Sequence, residues 1–162
     1  MVGYVWKFGD NINTDDMMPQ EAFRLPPQEQ AKWIFRALRP GWVDHVKPGD
    51  IIVAGRNFGT GSSRPAARSF KILGIHAIFA ESINGLFYRN SINYGLPVFN
   101  WPDILQHFKE GERVEVDIRA GTIKHLDSGS LLQTDPFPEL LIKIIEAGGM
   151  IELLQKDGCL DR

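Results

Sequence analysis

The chain of 162 residues holds a single cysteine, Cys159, and this shortage excludes two arrangements. No disulfide can close within the chain, which fits a reducing compartment. Nor can the chain alone supply the several thiolates that an iron–sulfur cluster requires. Long hydrophobic runs are absent as well: no apolar stretch approaches the ~20 residues of a membrane span. The N-terminus, MVGYVWKFGDNINTDD, lacks the basic region and apolar core of a signal peptide. Cytoplasm is therefore the expected compartment. There is little excess charge of either sign, with 18 Lys and Arg against 20 Asp and Glu, so neither nucleic acid nor an anionic membrane is expected as a partner. His45, His76, His107 and His125 fall in separate segments without metal-ligand spacing. Asp15 and Asp16 are adjacent but have no third ligand nearby, so no metal is expected on this chain. Repeats, low-complexity segments and linkers are missing too. The length suits one buried core, and a single domain over residues 1–162 is expected.

What is present is organised around Gly55–Phe70, GRNFGTGSSRPAARSF. It follows IIVAG, an apolar β-branched run that reads as a buried strand, and leads into ARSFKIL, where apolar spacing turns helical. A glycine-punctuated loop thus joins a strand to a helix N-terminus, with Ser62, Ser63 and Arg64 at the joint. Unpaired N–H groups and a partial positive charge make such a place receptive to anions. Gly55, Gly59 and Gly61 allow positive φ or close backbone approach. Ser63 is the expected N-cap, with Pro65 in the tolerated first turn. Two phosphate motifs fail here. A P-loop needs Lys after its last Gly, where Ser62 stands, and a dinucleotide fingerprint needs Gly where Arg64 stands. The planar fork of Arg64 suits a carboxylate held by two hydrogen bonds. The residues by themselves point to a carboxylate site with a hydroxyl beside it.

The remaining chain reads in order. Val2–Phe8 is a first strand, and GDNINTDD supplies turn residues. Glu21–Pro27 is a short irregular segment that sets Arg24 between Phe23 and Leu25, an odd place for a charge in a packing segment. The spacing of Ala31, Ile34, Phe35 and Leu38 predicts a helix over 28–38, stopped by Pro40-Gly41. Residues 42–48 form a connector before the strand Ile51–Ala54. A helix over about 64–73 ends at Gly74 as its C′ residue. IHAIFA is the next strand, with His76 a semi-buried, satisfied histidine. A helix follows over 81–94, with Ile83, Leu86, Phe87 and Asn90 at helical spacing, and LPVF gives another strand. This alternation predicts an α/β fold with parallel pairing, and the Ser62–Arg64 loop at a strand's carboxyl end. Beyond Pro102 come a short helix over 103–108, a hairpin around Ala120-Gly121, a helix over 138–146 stopped by Gly148-Gly149, and a short element over 151–154. The tail KDGCLDR is expected to fray.

Three separated blocks, GDNINTDDMMP, NFGTGSSR and AESINGLFYRNSINYGLP, together resemble the family of 3-isopropylmalate dehydratase small subunits, itself similar to the swivelling domain of aconitase and homoaconitase. The resemblance spans roughly residues 3–100. It implies an α/β fold, a single swivelling β/β/α domain of the aconitase C-terminal type, and a hydro-lyase subunit of leucine biosynthesis that is active only with a large subunit. By the same resemblance that partner carries a [4Fe–4S] cluster, and this chain binds none. Carried over residue by residue, the resemblance implies Ser62 as the catalytic base and Arg24, Ser63 and Arg64 as substrate-binding residues. Thr14, Asp15, Asn57 and Gly61 are implied to stand behind them. The loop bearing Arg24 is the one that distinguishes substrates in aconitase-like proteins. The chain departs from the family pattern twice: Pro65, Ala66 and Ala67 stand where the family usually has Glu-His-Ala, and Thr60 where it usually has Cys.

The expected reaction is dehydration and rehydration of a malate-type 2-hydroxy acid. Homoaconitase-like enzymes or other substituted-malate dehydratases remain open, as does a carboxylate-binding module without catalysis. A carboxylate arm on the substrate would favour Arg24, an alkyl group Leu25 and Phe23.

Overall fold

The structure, a computed structural model, describes residues 1–160; the last two residues of the tail expected to fray, Asp161 and Arg162, lie outside the described residues. The strands among them are β1 Val2–Lys7, β2 Ile51–Ala54, β3 Ala77–Ala80, β4 Val98–Asn100, β5 Arg113–Asp117, β6 Thr122–His125 and β7 Leu131–Gln133. They form one sheet in the order β4-β3-β2-β1-β5-β6-β7. The half from β4 to β1 is parallel, and the half from β5 to β7 is antiparallel and joins β1 antiparallel. The mixed α/β sheet follows from the sequence: strand–helix–strand units give parallel pairs, and the Ala120-Gly121 hairpin gives an antiparallel one.

Every residue of β2 and β3 is buried, because both faces of the parallel half are covered. Ile52, Ala54, Ile78 and Ala80 point to a core shared with the helices, around Phe35, Trp42, Phe58, Phe70 and Phe87. Ile51, Val53, Ala77 and Phe79 point the other way. There the sheet curls, so that Val114, Val116 and Ile123 of the antiparallel half close over Phe79, Phe99 and Ile104. Strands β5 and β6 alternate buried and more exposed residues, as a half-covered sheet does.

The helices are α1 Thr14–Met17, α2 Pro27–Ala31, α3 Trp42–His45, α4 Ala66–Ile72, α5 Gly85–Asn93, α6 Glu139–Ala147 and α7 Met150–Lys156. Several differ from the sequence reading. The helix expected over 28–38 stops at Ala31. The amides of Lys32, Trp33 and Ile34 turn to the carbonyls three residues back, and Phe35 leaves the ladder with φ +55° and its N–H on the Met17 carbonyl at 2.9 Å. That bend buries both Ile34 and Phe35, with the Phe35 ring 4.3 Å from that of Phe8. The expected turn GDNINTDD carries α1, closed by a capping box between Asn13 and Asp16. The segment expected to be irregular contains a 3₁₀ turn over Gln20–Arg24, and the connector over 42–48 contains α3.

Two helix starts move C-terminally for local reasons. Helix α4 begins at Ala66, not near Arg64, because a residue before proline is pushed out of the helical region. Pro65 takes the N-cap position without a capping side chain, so Ser63 is not the N-cap. Helix α5 begins at Gly85, not at Glu81. Residues before it pair with the central loop in a Phe58–Ile83 bridge, and Asn84 caps the Leu86 amide at 2.9 Å. Strand β7 was missed outright; three residues are too few for alternation to register.

Candidate functional site

Strand β2 ends at Ala54 and α4 begins at Ala66. The loop between them therefore emerges at the carboxyl end of the parallel strands, where such sheets place ligands. Loops that follow β1 and β3 emerge at the same end and are stitched to it through backbone hydrogen bonds. From the β1 side, the amides of Asn11 and Thr14 donate to the carbonyls of Arg56 and Thr60 at 2.7 and 2.8 Å, and the Gly59 amide donates to Ile12 at 2.8 Å. From the β3 side, Phe58 donates to Ser82 at 3.0 Å and Asn84 to Phe58 at 2.9 Å. Backbone-to-backbone bonding of this density fixes the loop's path independently of most side chains.

The glycines are required by that path. Gly59 has φ +76°, and a Cβ there would lie 2.3 Å from the Phe87 ring. Gly61 has φ +100°, with the Thr14 hydroxyl 3.0 Å from where a Cβ would sit. Thr14 in turn donates from Oγ1 to the Ser62 carbonyl at 2.7 Å. Thr14 and Gly61 thus shape the backbone at Ser62 from behind.

Ser62 and Ser63 are exposed, whereas the Arg64 side chain is only 12% exposed. Its guanidinium is engaged on several sides. Nη1 donates to the Met18 carbonyl at 2.5 Å, and Nη2 forms an ion pair with the Asp15 carboxylate. The guanidinium carbon lies 4.9 Å from the centre of the Phe23 ring, and Nε approaches the Ser62 hydroxyl at 3.5 Å. The charged donor that approaches the Ser62 hydroxyl is thus Arg64 Nε, while α4 begins four residues further on, at Ala66. The Asp15 carboxylate is 66% exposed, so an incoming carboxylate would share or replace that pairing in direct competition with water. The Ser63 hydroxyl accepts a hydrogen bond from Asn90 Nδ2 on α5 at 3.0 Å.

Arg24 closes the 3₁₀ turn beside Phe23, on the flank from which that ring reaches Arg64. Its side chain is exposed and, among the described residues, makes neither an ion pair nor a hydrogen bond. Asn57 stands apart from this cluster. It sits at φ +58°, its amide donates to the Ser82 hydroxyl at 2.9 Å, and its side chain donates to Asn11 at 2.9 Å. It therefore braces the loop's entry, while Thr14, Asp15 and Gly61 gather around Ser62–Arg64.

The sequence reading names Phe23 only as apolar surface for an alkyl group and Asn90 only as a position on a helical stripe; it foresees neither their contacts with Arg64 and Ser63 nor the role of the Met18 carbonyl. The Arg64 contacts with Phe23 and Met18 carried no signal, since neither is local in the chain. Asn90 did carry one, because a carboxamide on an otherwise apolar helical stripe calls for a polar partner.

The residues do not fit an iron–sulfur cluster held by this chain. Cys159 is exposed near the C-terminus, and among the described residues no three His, Cys, Asp or Glu side chains gather to hold a metal ion.

The aconitase C-terminal domain family model matches residues 10–102, the span that contains all three stitched loops. The chain is 43% identical over 156 residues to the 3-isopropylmalate dehydratase small subunit of Thermodesulfovibrio yellowstonii, covering 95% of this chain and 93% of that one. The chain belongs to this small-subunit family of hydro-lyases. The isopropylmalate/citramalate isomerase small subunit of Methanocaldococcus jannaschii is 42% identical over 156 residues, with the same coverage of both chains. A crystal structure of 3-isopropylmalate dehydratase from that organism superposes with a TM-score of 0.89 at 34% identity, covering 98% of this chain and 95% of the other. The swivelling-domain fold expected from the resemblance is therefore the fold of this chain.

Proposed function

We propose that this chain works with a large partner subunit, which carries a [4Fe–4S] cluster, to dehydrate and rehydrate a malate-type 2-hydroxy acid in the cytoplasm. The observation that carries this reading is the composition and exposure of one turn. A serine hydroxyl and a guanidinium lie 3.5 Å apart at the open end of the sheet, beside an unpaired Arg24. Abstraction of a proton next to a carboxylate loads negative charge on the substrate, and a preorganised guanidinium stabilises that charge. In this reading Arg64 Nε lowers the cost of ionising Ser62, and the Ser62 alkoxide accepts the substrate proton and returns to the neutral hydroxyl. Arg64 and Arg24 take substrate carboxylates, Ser63 donates or accepts beside them, and Thr14, Asp15, Gly61 and Asn57 hold the turn. A site with Ser62 and Ser63 in open solvent cannot exclude water unaided, which is why a second protein surface belongs in the proposal.

Substrates that the named relatives point to are 3-isopropylmalate and its smaller methyl counterpart, citramalate. Phe23, 41% exposed, and half-buried Leu25 offer apolar surface for such an alkyl group. Arg24 would instead favour a carboxylate arm of the homoaconitate kind. A second reading, a carboxylate-binding module without catalysis, is favoured by Pro65–Ala67: Ala66 and Ala67 are fully buried and bring no polar group to the turn. Purification of the native complex decides between the two. The proposal expects the isolated chain to be colourless and inactive, and the complex with its partner to turn over at least one substituted malate. Iron-dependent turnover by the isolated chain would overturn it, and carboxylate binding by the isolated chain with no active complex would favour the second reading.

A further inference from the structure

Arg68 lies four residues beyond Arg64, a little over one turn into the chain that becomes α4. It is half-buried, and among the described residues it has no carboxylate partner. Nη2 donates to Gln30 Oε1 at 2.9 Å, the guanidinium carbon lies 6.0 Å from the Tyr94 ring centre, and Nε is buried without a partner. A cation with a buried, unpaired donor is a costly residue for a position that only needs to pack. What it holds is Gln30, itself 4% exposed on α2. The Gln30 amide donates onward from Nε2 to the carbonyl of Phe23 at 3.2 Å. Arg68 Nη2–H, Gln30 Oε1, Gln30 Nε2–H and the Phe23 carbonyl thus form a two-bond relay that ends beside Arg24.

Arg64 grips the same turn from its other end, through the Met18 carbonyl at 2.5 Å and the face of the Phe23 ring. Arg64 therefore holds the segment just before the turn over Gln20–Arg24 and the ring of Phe23, while the Arg68–Gln30 relay holds the Phe23 backbone. Of these two supports, only the Arg68–Gln30 relay is free of the proposed chemistry. We infer that Arg68 and Gln30 are positioning residues that set the placement of Arg24, and through it the enzyme's affinity and selectivity for substituted malates. This inference rests on the substrate-binding role proposed for Arg24. Gln30 is the coupling element because an amide can accept at one end and donate at the other, a pairing that neither Glu nor Leu reproduces.

The test uses Arg68→Met and Gln30→Leu, with Arg68→Lys as the conservative variant that keeps one donor. Two readouts are needed. In the isolated chain, amide hydrogen exchange over residues 20–25 is expected to accelerate severalfold in Arg68→Met and Gln30→Leu, with exchange in β2 and β3 unchanged. In the complex with the large subunit, KM for 3-isopropylmalate and citramalate is expected to rise by about tenfold with kcat within about twofold, and the ratio between the two acids to shift. Arg68→Lys should fall between wild type and Arg68→Met in both. Should Arg68→Met fail to fold, Gln30→Leu and Arg68→Lys still decide the matter, since the first removes both bonds of the relay from its middle and the second keeps a cationic donor at its start. Unchanged exchange over 20–25, or faster exchange with KM unaltered on both acids, overturns the inference. The wild-type complex is the control for the underlying reading. If it turns over neither acid, that reading fails separately, and the exchange data alone judge whether the relay holds the turn.

Discussion

The central loop and the turn over Gln20–Arg24 each present an arginine at the open end of the sheet, yet they are held in opposite ways. The central loop is fixed by backbone hydrogen bonds to the loops after β1 and β3, and by glycines at positive φ, of which Gly59 leaves no room for a Cβ against Phe87. Its Arg64 is pinned by a carbonyl, a carboxylate and an aromatic face. The turn that bears Arg24 is held largely by side chains reaching in from α2 and the Arg64–Arg68 segment, and Arg24 itself is left unpaired. A path set by backbone leaves little freedom to sequence change, whereas a path set by side chains shifts with each substitution behind it. Chemistry common to a family suits the first kind of support, and discrimination among substrates suits the second.

The sharpest way to break this comparison is Ser62→Ala. If the central loop carries the chemistry, kcat of the assembled complex should fall by about 10²–10⁴-fold, the usual contribution of a general base. The melting temperature should barely move, because the Thr14 hydroxyl bonds the Ser62 carbonyl and not its side chain. Ser63→Ala is the internal contrast: it removes the hydrogen bond from Asn90, for a stability loss of about 0.5–1 kcal/mol and a milder effect on kcat. Full activity in the Ser62→Ala complex would strip the loop of its catalytic role.

Arg24→Lys comes next in size. A lysine keeps the charge and loses the two-pronged geometry, so KM should rise by about ten- to a hundredfold if a carboxylate is gripped there. The comparison sharpens if the loss differs between 3-isopropylmalate and citramalate, for then the turn acts on selectivity as well as affinity. Equal kinetics on every active acid would return Arg24 to the protein surface.

Much of this arrangement was legible in the sequence, and the limits have physical causes. Local signals carried the sheet: the β-branched run IIVAG gave β2, the apolar segment IHAIFA gave β3, the Ala120-Gly121 turn gave the β5–β6 hairpin, and Gly74 marked the end of α4. The central loop announced itself through glycines and the Ser62-Ser63-Arg64 sequence. What failed was the part decided by contacts distant in the chain. Phe35 leaves its helix because Met17 offers a carbonyl and Phe8 a ring, and no residue between 28 and 38 foretells either. The N-cap assigned to Ser63 failed for a local reason that was available: Pro65 restrains the residue before it, and that rule outweighs the capping preference. The relay from Arg68 through Gln30 to Phe23 joins three segments, and only the assembled fold brings them together.

The smallest expected effect lies away from both regions and checks that stability can change without touching either. His76 precedes β3 at the end of the sheet opposite the central loop. Burial pushes its imidazole below the ordinary value of 6.5, the nearby N-terminal ammonium pushes it further the same way, and a hydrogen bond with the Val116 backbone partly offsets them. A base with a lowered folded pKa binds its proton less readily in the native state than in the unfolded chain. As pH falls below 6.5, the unfolded chain therefore takes up the proton first, and the protein loses stability until the folded pKa is passed. The melting temperature of the wild-type chain should drop over that window more steeply than that of His76→Gln, which cannot titrate. The difference between the two curves isolates His76 from the carboxylates that titrate at lower pH, and KM at neutral pH in the assembled complex should be the same for both. Parallel melting curves across the window would mean that His76 titrates alike in the folded and unfolded chain. A shift in KM would mean that the far end of β3 reaches the site after all, and that the two ends of the sheet are coupled.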